Sequence, residues 1–424
     1  MSGRTPTRRR SLERGFTLIE LLVATIAGLF VVLAAFMVSR GATRVFASEG
    51  RVANTQLNLR LGVDRLRQDL ERAGYMTSAN VKVDPDVCPE PNSLGFAARL
   101  QSVYHQPGTT ALSASETPQN ALNGLAPDKL TLTGNFTTTD SYLAATIEPA
   151  SGGAGHDIIL QSGFSSTARL LAAGETSSPA AALSAAFPTG RVLRIRNDLG
   201  SSQYVVVTAT SIGAGGRAVV TVGATPPYTL VAGGSLVKRC GGRGLCLGCE
   251  INPVQFVRYE VKSLSGSTGF AWAYPATGAA GDSTKYDLVR SEVDPTGTVI
   301  AGSEEIVAEH TVDLGFAFSV DQSVSMTSGS GWTEPDVKEL AFGDLNAALY
   351  AGDILAASAS AVRPQRIRSV RYRVSSRSRF PDYPIGLEDG GPGLSRYMVS
   401  TGQYARVRTV IGEVALVNQQ GIRW

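Results

Sequence analysis

Histidine is scarce in this chain. His105, His156 and His310 are the only three in 424 residues. They lie far apart, and none falls in a metal-motif spacing, so a histidine-built zinc or catalytic centre has little footing. Three common catalytic patterns are also missing: the Gly-x-Ser-x-Gly elbow, the His-Glu-x-x-His helix and the Gly-x-x-x-x-Gly-Lys phosphate loop. No enzyme activity, metal or cofactor is expected. Charge is sparse as well, at 18% of residues with a formal balance of +3. Arg4, Arg8, Arg9, Arg10 and Arg14 against Glu13 put +4 into the first 14 positions, which leaves about −1 for the rest. A balance so near zero makes no electrostatic case for nucleic acid as a partner.

Glycine is plentiful, 46 of 424 residues, alongside abundant Ala, Ser and Thr. That composition suits a β-rich, loop-rich extracytoplasmic domain better than a helical one. Between Phe16 and Val38 the only charge is Glu20. About 20 apolar residues suffice to span a bilayer as a helix. An ionisable residue within such a span is expensive and marks Glu20 as a functional candidate. The arginines ahead of it keep that end cytoplasmic by the positive-inside rule.

The stretch Arg14-Gly15-Phe16-Thr17-Leu18-Ile19-Glu20 resembles the processing signal of the type IV pilin superfamily. The resemblance implies that a prepilin peptidase cuts after Gly15 and that Phe16 becomes the N-methylated first residue. Glu20 then stands fifth, where the family carries a glutamate that pairs with the terminal amine of a neighbouring subunit and sets assembly register. A buried carboxylate favours a charged partner, so the physics is consistent.

Beyond the apolar run, Leu59, Val63, Leu66, Leu70 and Ala73 recur at steps of four and three, which predicts a helix continuing to Ala73 with one apolar stripe. Arg60, Asp64, Arg65, Arg67, Gln68, Asp69, Glu71 and Arg72 form its expected solvated face, and Gly74 its stop. Gly28, Gly41, Gly50 and Gly62 predict local softening. Strands are expected at 128–133, 157–161, 191–196, 204–208 and 218–222, with a turn over 211–216. Residues 107–127 and 172–189 read as Ala/Ser/Thr/Gly/Pro-rich surface loops.

The run from Arg65 to Tyr75 looks like the helix end of PilW-like minor pilins and the related J-type pseudopilins of type II secretion. Weaker islands follow at 256–261, 286–290, 304–318, 366–374 and 406–418, which are similar to that group's strands. The resemblance implies an α+β pilin fold: a long N-terminal helix, membrane-spanning in its first half, packed on an antiparallel β-sheet head. The expected layout is a cleaved leader at 1–15, a transmembrane and filament-core helix at 16–38, its amphipathic continuation at 39–74 and a periplasmic head at 75–424. Segments 90–127, 320–362 and 378–403 are read as enlarged loops. The implied function is that of a minor pilin in type IV pilus assembly and twitching motility, in a priming or tip complex. Implied partners are other minor and major pilins, the prepilin peptidase, the inner-membrane assembly platform and membrane lipid. A J-type pseudopilin and a pilus-delivered adhesin are the alternatives.

Four cysteines occur: Cys88, Cys240, Cys246 and Cys249. Cys246-x-x-Cys249 admits zinc or redox readings, with Cys88 as a conceivable fourth ligand, but an extracytoplasmic head favours two disulfides. Four cysteines allow three connectivities. Asp382, Glu388 and Asp389 could bind calcium or be solvated loop acids; the latter is the simpler reading. The arginine-rich run 363–379 is read as a solvent-facing strand rather than a phosphate site.

Overall fold

The computed structural model describes residues 17–81, 83–87, 100–108, 125–150, 155–163, 165–173, 178–223, 248–274, 285–321, 337–340, 364–381, 396–400, 403–420 and 422. The chain is α+β, with one long apolar N-terminal helix and antiparallel sheets. It divides into two compact units, Met1–Asn54 and Thr55–Trp424.

Apart from Thr17, the described part of the first unit belongs to helix α1 (Leu18–Arg72), the one helix among the described residues long and apolar enough to cross a membrane. Its described side chains up to Gly50 are exposed. Gly28, Gly41 and Gly50 have open space where a Cβ would stand, so their effect is confined to helix propensity.

In the second unit, the rest of α1 carries the expected stripe. Leu59, Val63, Leu66, Leu70 and Ala73 are all buried. Each leucine so buried contributes about 1.5–3 kcal/mol over leaving it in water. Gly62 does more than soften the helix: a Cβ there would lie 2.8 Å from Ala308 Cβ and 2.9 Å from the Val307 carbonyl oxygen. Its missing side chain lets the helix backbone approach that strand closely. Gly74 adopts φ +77°, the left-handed conformation that ends helices, and donates its N–H to the Thr133 carbonyl at 2.8 Å. The carbonyls of Glu71 and Ala73 accept from Asn418 Nδ2 at 3.2 and 3.0 Å, so the chain's far end caps this helix.

Fifteen strands are described: β1 (Val103–Gln106), β2 (Lys129–Gly134), β3 (Tyr142–Pro149), β4 (His156–Leu160), β5 (Val192–Arg196), β6 (Ser202–Gly213), β7 (Arg217–Val222), β8 (Glu250–Lys262), β9 (Asp287–Val293), β10 (Glu305–Ala308), β11 (Thr311–Asp321), β12 (Val337–Leu340), β13 (Ile367–Arg377), β14 (Arg396–Ser400) and β15 (Gln403–Ala415). Two short helices, α2 (Ser166–Ala173) and α3 (Pro179–Ala186), fall between β4 and β5.

Strand β8 is the hub. Its first half pairs with β3 and β5, and the chain of pairings β8-β3-β4-β7-β6-β5 returns to β8, closing a ring of six strands. Its second half runs between β2 and β9, which extend to β1 and β10. A second sheet has the order β12-β11-β13-β15-β14. Closure removes exposed edges from the ring, and β12, which carries Lys338 and Glu339, is a short charged edge.

There are two main cores among the described residues. One gathers the α1 stripe, Leu130, Leu132, Val257 and Leu288 of the first sheet, and Phe316, Phe318, Val370 and Val374 of the second. The other belongs to the six-stranded ring, with Leu183 of α3 and Phe187 packed into it; Tyr142 meets Phe187 edge-on at 4.9 Å.

The strand expectations fall on β2, β4, β5, β6 and β7, but β6 runs on to Gly213, so the turn expected over 211–216 is confined to 214–216. Three readings need correction. The head contains two sheets and a closed ring where one sheet was expected. Residues 172–189 are not simply a loop: Ser178 Oγ accepts from Ala181 N, Pro179 occupies the helix start, and Leu183 is fully buried. The segments read as enlarged loops contain β1, β12 and β14.

Candidate functional site

Thr17 and Glu20 open helix α1. The Glu20 N–H donates to Thr17 Oγ1 at 3.3 Å, while Glu20 Oε2 accepts from Thr17 N at 2.9 Å and Thr17 Oγ1 at 3.0 Å. This is a reciprocal capping box, which satisfies two amide donors that a helix start leaves without intrahelical partners. The Thr-x-x-Glu spacing builds it from sequence alone. Glu20 thus has a partner within its own chain, where the sequence suggested a carboxylate held for another subunit. Gly15 and Phe16, the expected processing and methylation positions, lie outside the described residues.

A second constellation fixes α1 within the head. Asp69 is 2% exposed, although its position suggested the solvated face. Its Oδ2 accepts from Tyr259 Oη at 2.7 Å and from Arg290 Nε at 2.6 Å. Tyr259 on β8 and Arg290 on β9 are cross-strand partners, so the sheet presents both donors side by side. Burial, and then the Asp69 charge, raise Tyr259 well above its ordinary value and keep it a neutral donor. Burial opposes the Arg290 charge, but Asp69, Tyr259 and Glu305 together hold its pKa above the usual guanidinium value. The sequence held no short-range signal for this group, because its members come from three distant elements.

Cys249 is buried and disulfide-bonded, in keeping with the disulfide reading. Cys88, Cys240 and Cys246 lie outside the described residues, as do Asp382, Glu388 and Asp389. No cluster of three or more metal-ligating side chains occurs among the described residues. His105 contacts Asp128 at 3.0 Å and lies edge-on to Phe316 and Phe318; His156 begins β4, and His310 sits in the turn before β11.

The arginine-rich run turns inward to protein partners. Arg368 Nη2 meets Asp321 at 2.9 Å and Arg373 Nε meets Asp313 at 2.8 Å. Arg371 faces Glu339 and Glu413, and Arg377 is buried against the carbonyls of Ser378 and Arg379. Guanidinium groups committed in this way brace the second sheet and are poorly placed to take a phosphate. No family model matches the chain, and neither a curated protein nor a solved structure matches it.

Proposed function

We propose that the chain is a filament subunit of the type IV pilin superfamily, a PilW-like minor pilin that works by assembly and not by catalysis. The observation that carries this reading is the start of α1. A Gly15-Phe16 junction is followed at once by a Thr17–Glu20 capping box and an apolar helix able to cross a membrane. The head supports it from the other end, since the amphipathic half of the same helix is bound into antiparallel sheets.

In this reading the leader stays cytoplasmic, the peptidase cuts after Gly15, and Phe16 is methylated. Residues 16–38 hold the subunit in the inner membrane and then pack in the filament. The capping box lets Glu20 sit at the helix start without an unpaired carboxylate, which reduces the cost of membrane residence. On assembly the carboxylate's remaining acceptor capacity takes the ammonium of a neighbouring Phe16. The large head, with its ring and second sheet, suits a priming or tip position, because a bulky subunit repeats poorly along a shaft. Pilus preparations from cells carrying Glu20→Ala test the reading. The variant is expected in the membrane at wild-type level and depleted from the pili. Normal incorporation would overturn the register role.

A further inference from the structure

Lys285, Asp287 and Glu309 meet at the start of β9 in an arrangement that neither the α1 anchor nor the helix start uses. Lys285 Nζ is 3.4 Å from Asp287 Oδ2 and 2.9 Å from Glu309 Oε1. It also donates to the Ala273 carbonyl at 3.1 Å and lies 4.7 Å above the Tyr274 ring. The Lys285 side chain is 7% exposed and that of Asp287 is fully buried. Both oxygens of Asp287 are held: Oδ1 accepts from His310 N at 2.8 Å, and Oδ2 from Tyr274 Oη at 2.5 Å.

We propose that this is a self-modification site, where Lys285 and Asp287 condense to an intramolecular amide with Glu309 as the proton carrier. The Lys285 amine lies within 3.4 Å of a carboxyl oxygen of Asp287 and 2.9 Å from a base, Glu309, and such proximity lowers the entropic cost of an intramolecular step. Two donors fix the carboxyl and would stabilise charge that develops on its oxygens. The step balances without an oxidant or any other reactant. A proton passes from the Lys285 ammonium to the Asp287 carboxylate, giving an amine and a neutral acid. Nζ then bonds to Cγ. Glu309 takes the proton that Nζ sheds and delivers it to Oδ2, to which Tyr274 donates. The Cγ–Oδ2 bond breaks, water leaves, and Oδ1 remains as the amide oxygen under the His310 N–H.

Burial supports the first transfer. It pushes the Asp287 carboxyl above its ordinary range, against the opposing pull of Tyr274, Lys285 and the His310 N–H. The two residues are close in sequence, so the bond closes a small ring at the entrance to β9.

Intact mass spectrometry of the full-length chain, with disulfides reduced, reads the outcome directly. The expected mass is lower by one water than the same chain without the bond, and trypsin should fail to cleave after Lys285. Glu309 is 40% exposed, so Glu309→Gln should fold and should recover both the missing water and the cleavage. A wild-type chain of full mass that is cut after Lys285 overturns the proposal. So does a water deficit that persists in Lys285→Met, since the loss would then lie elsewhere.

Discussion

Asp69 shows how far a single side chain can depart from what its neighbours in sequence suggest. It sits among Arg67, Gln68, Glu71 and Arg72, yet its carboxylate is enclosed by Tyr259 and Arg290. Removing one member of a buried charge pair leaves the other unpaired and typically costs about 3–5 kcal/mol. Asp69→Ala should therefore lower the thermal midpoint of the detergent-solubilised chain steeply, whereas Asp64→Ala, on the exposed face, should leave it nearly unchanged. Equal effects would contradict the anchor. Glu260 gives a matching prediction in pH. Burial pushes its pKa up, but Arg258, Lys262 and Lys129 outweigh that and hold it below its ordinary 4.5. A carboxyl depressed on folding adds stability that is complete above the unfolded value and is lost as pH falls through the folded one. Glu260→Gln should thus lower stability at neutral pH by about 1–3 kcal/mol and flatten its decline below pH 4.5. An unchanged acid limb in a pH series of thermal melts would count against this.

At the scale of elements, helix α1 is held along its side and at its end. Gly62→Leu forces a side chain against β10, where the Ala308 Cβ and Val307 carbonyl already occupy the space. Overpacking of this kind costs about 1–3 kcal/mol, and denaturant midpoints of the two proteins would measure it. The equivalent change at Gly50, which faces open space, should be nearly neutral. The stripe from Leu59 to Ala73 was legible in the sequence because burial on one helix face imposes a period that neighbouring residues reveal. Strands β4 and β7 were legible for the same reason at a period of two, whereas β2 shows an apolar/polar alternation in sequence although both of its faces are buried. Their pairing was not: β8 joins β3 and β5 to close the ring, and no local pattern encodes partners so distant in sequence. Helix α3 was hidden because Ala, Ser and Pro serve equally in loops, and only Ser178 before Pro179 hinted at a capped start. The Thr17–Glu20 box is legible as a Thr-x-x-Glu spacing, because its two members lie one helical turn apart.

The full chain carries one helix long and apolar enough to cross a membrane and, among its described residues, two antiparallel sheets. Thr17→Val keeps the apolar run but removes the hydroxyl that Glu20's N–H and carboxylate share. Losing a cap of this kind costs about 0.5–2 kcal/mol of helix stability, so the variant should reach the membrane at reduced steady-state level on quantitative immunoblots; wild-type level would argue that the box is incidental. The proposal that the chain is a processed pilin-type subunit depends on the junction ahead of that box. Mass spectrometry of the N-terminal peptide from protein purified out of its native membrane tests it most directly. The expected result is a chain that begins at Phe16 and carries one added methyl group on its amine. A chain that keeps Met1 to Gly15, or one cut after the apolar run instead of before it, would contradict it.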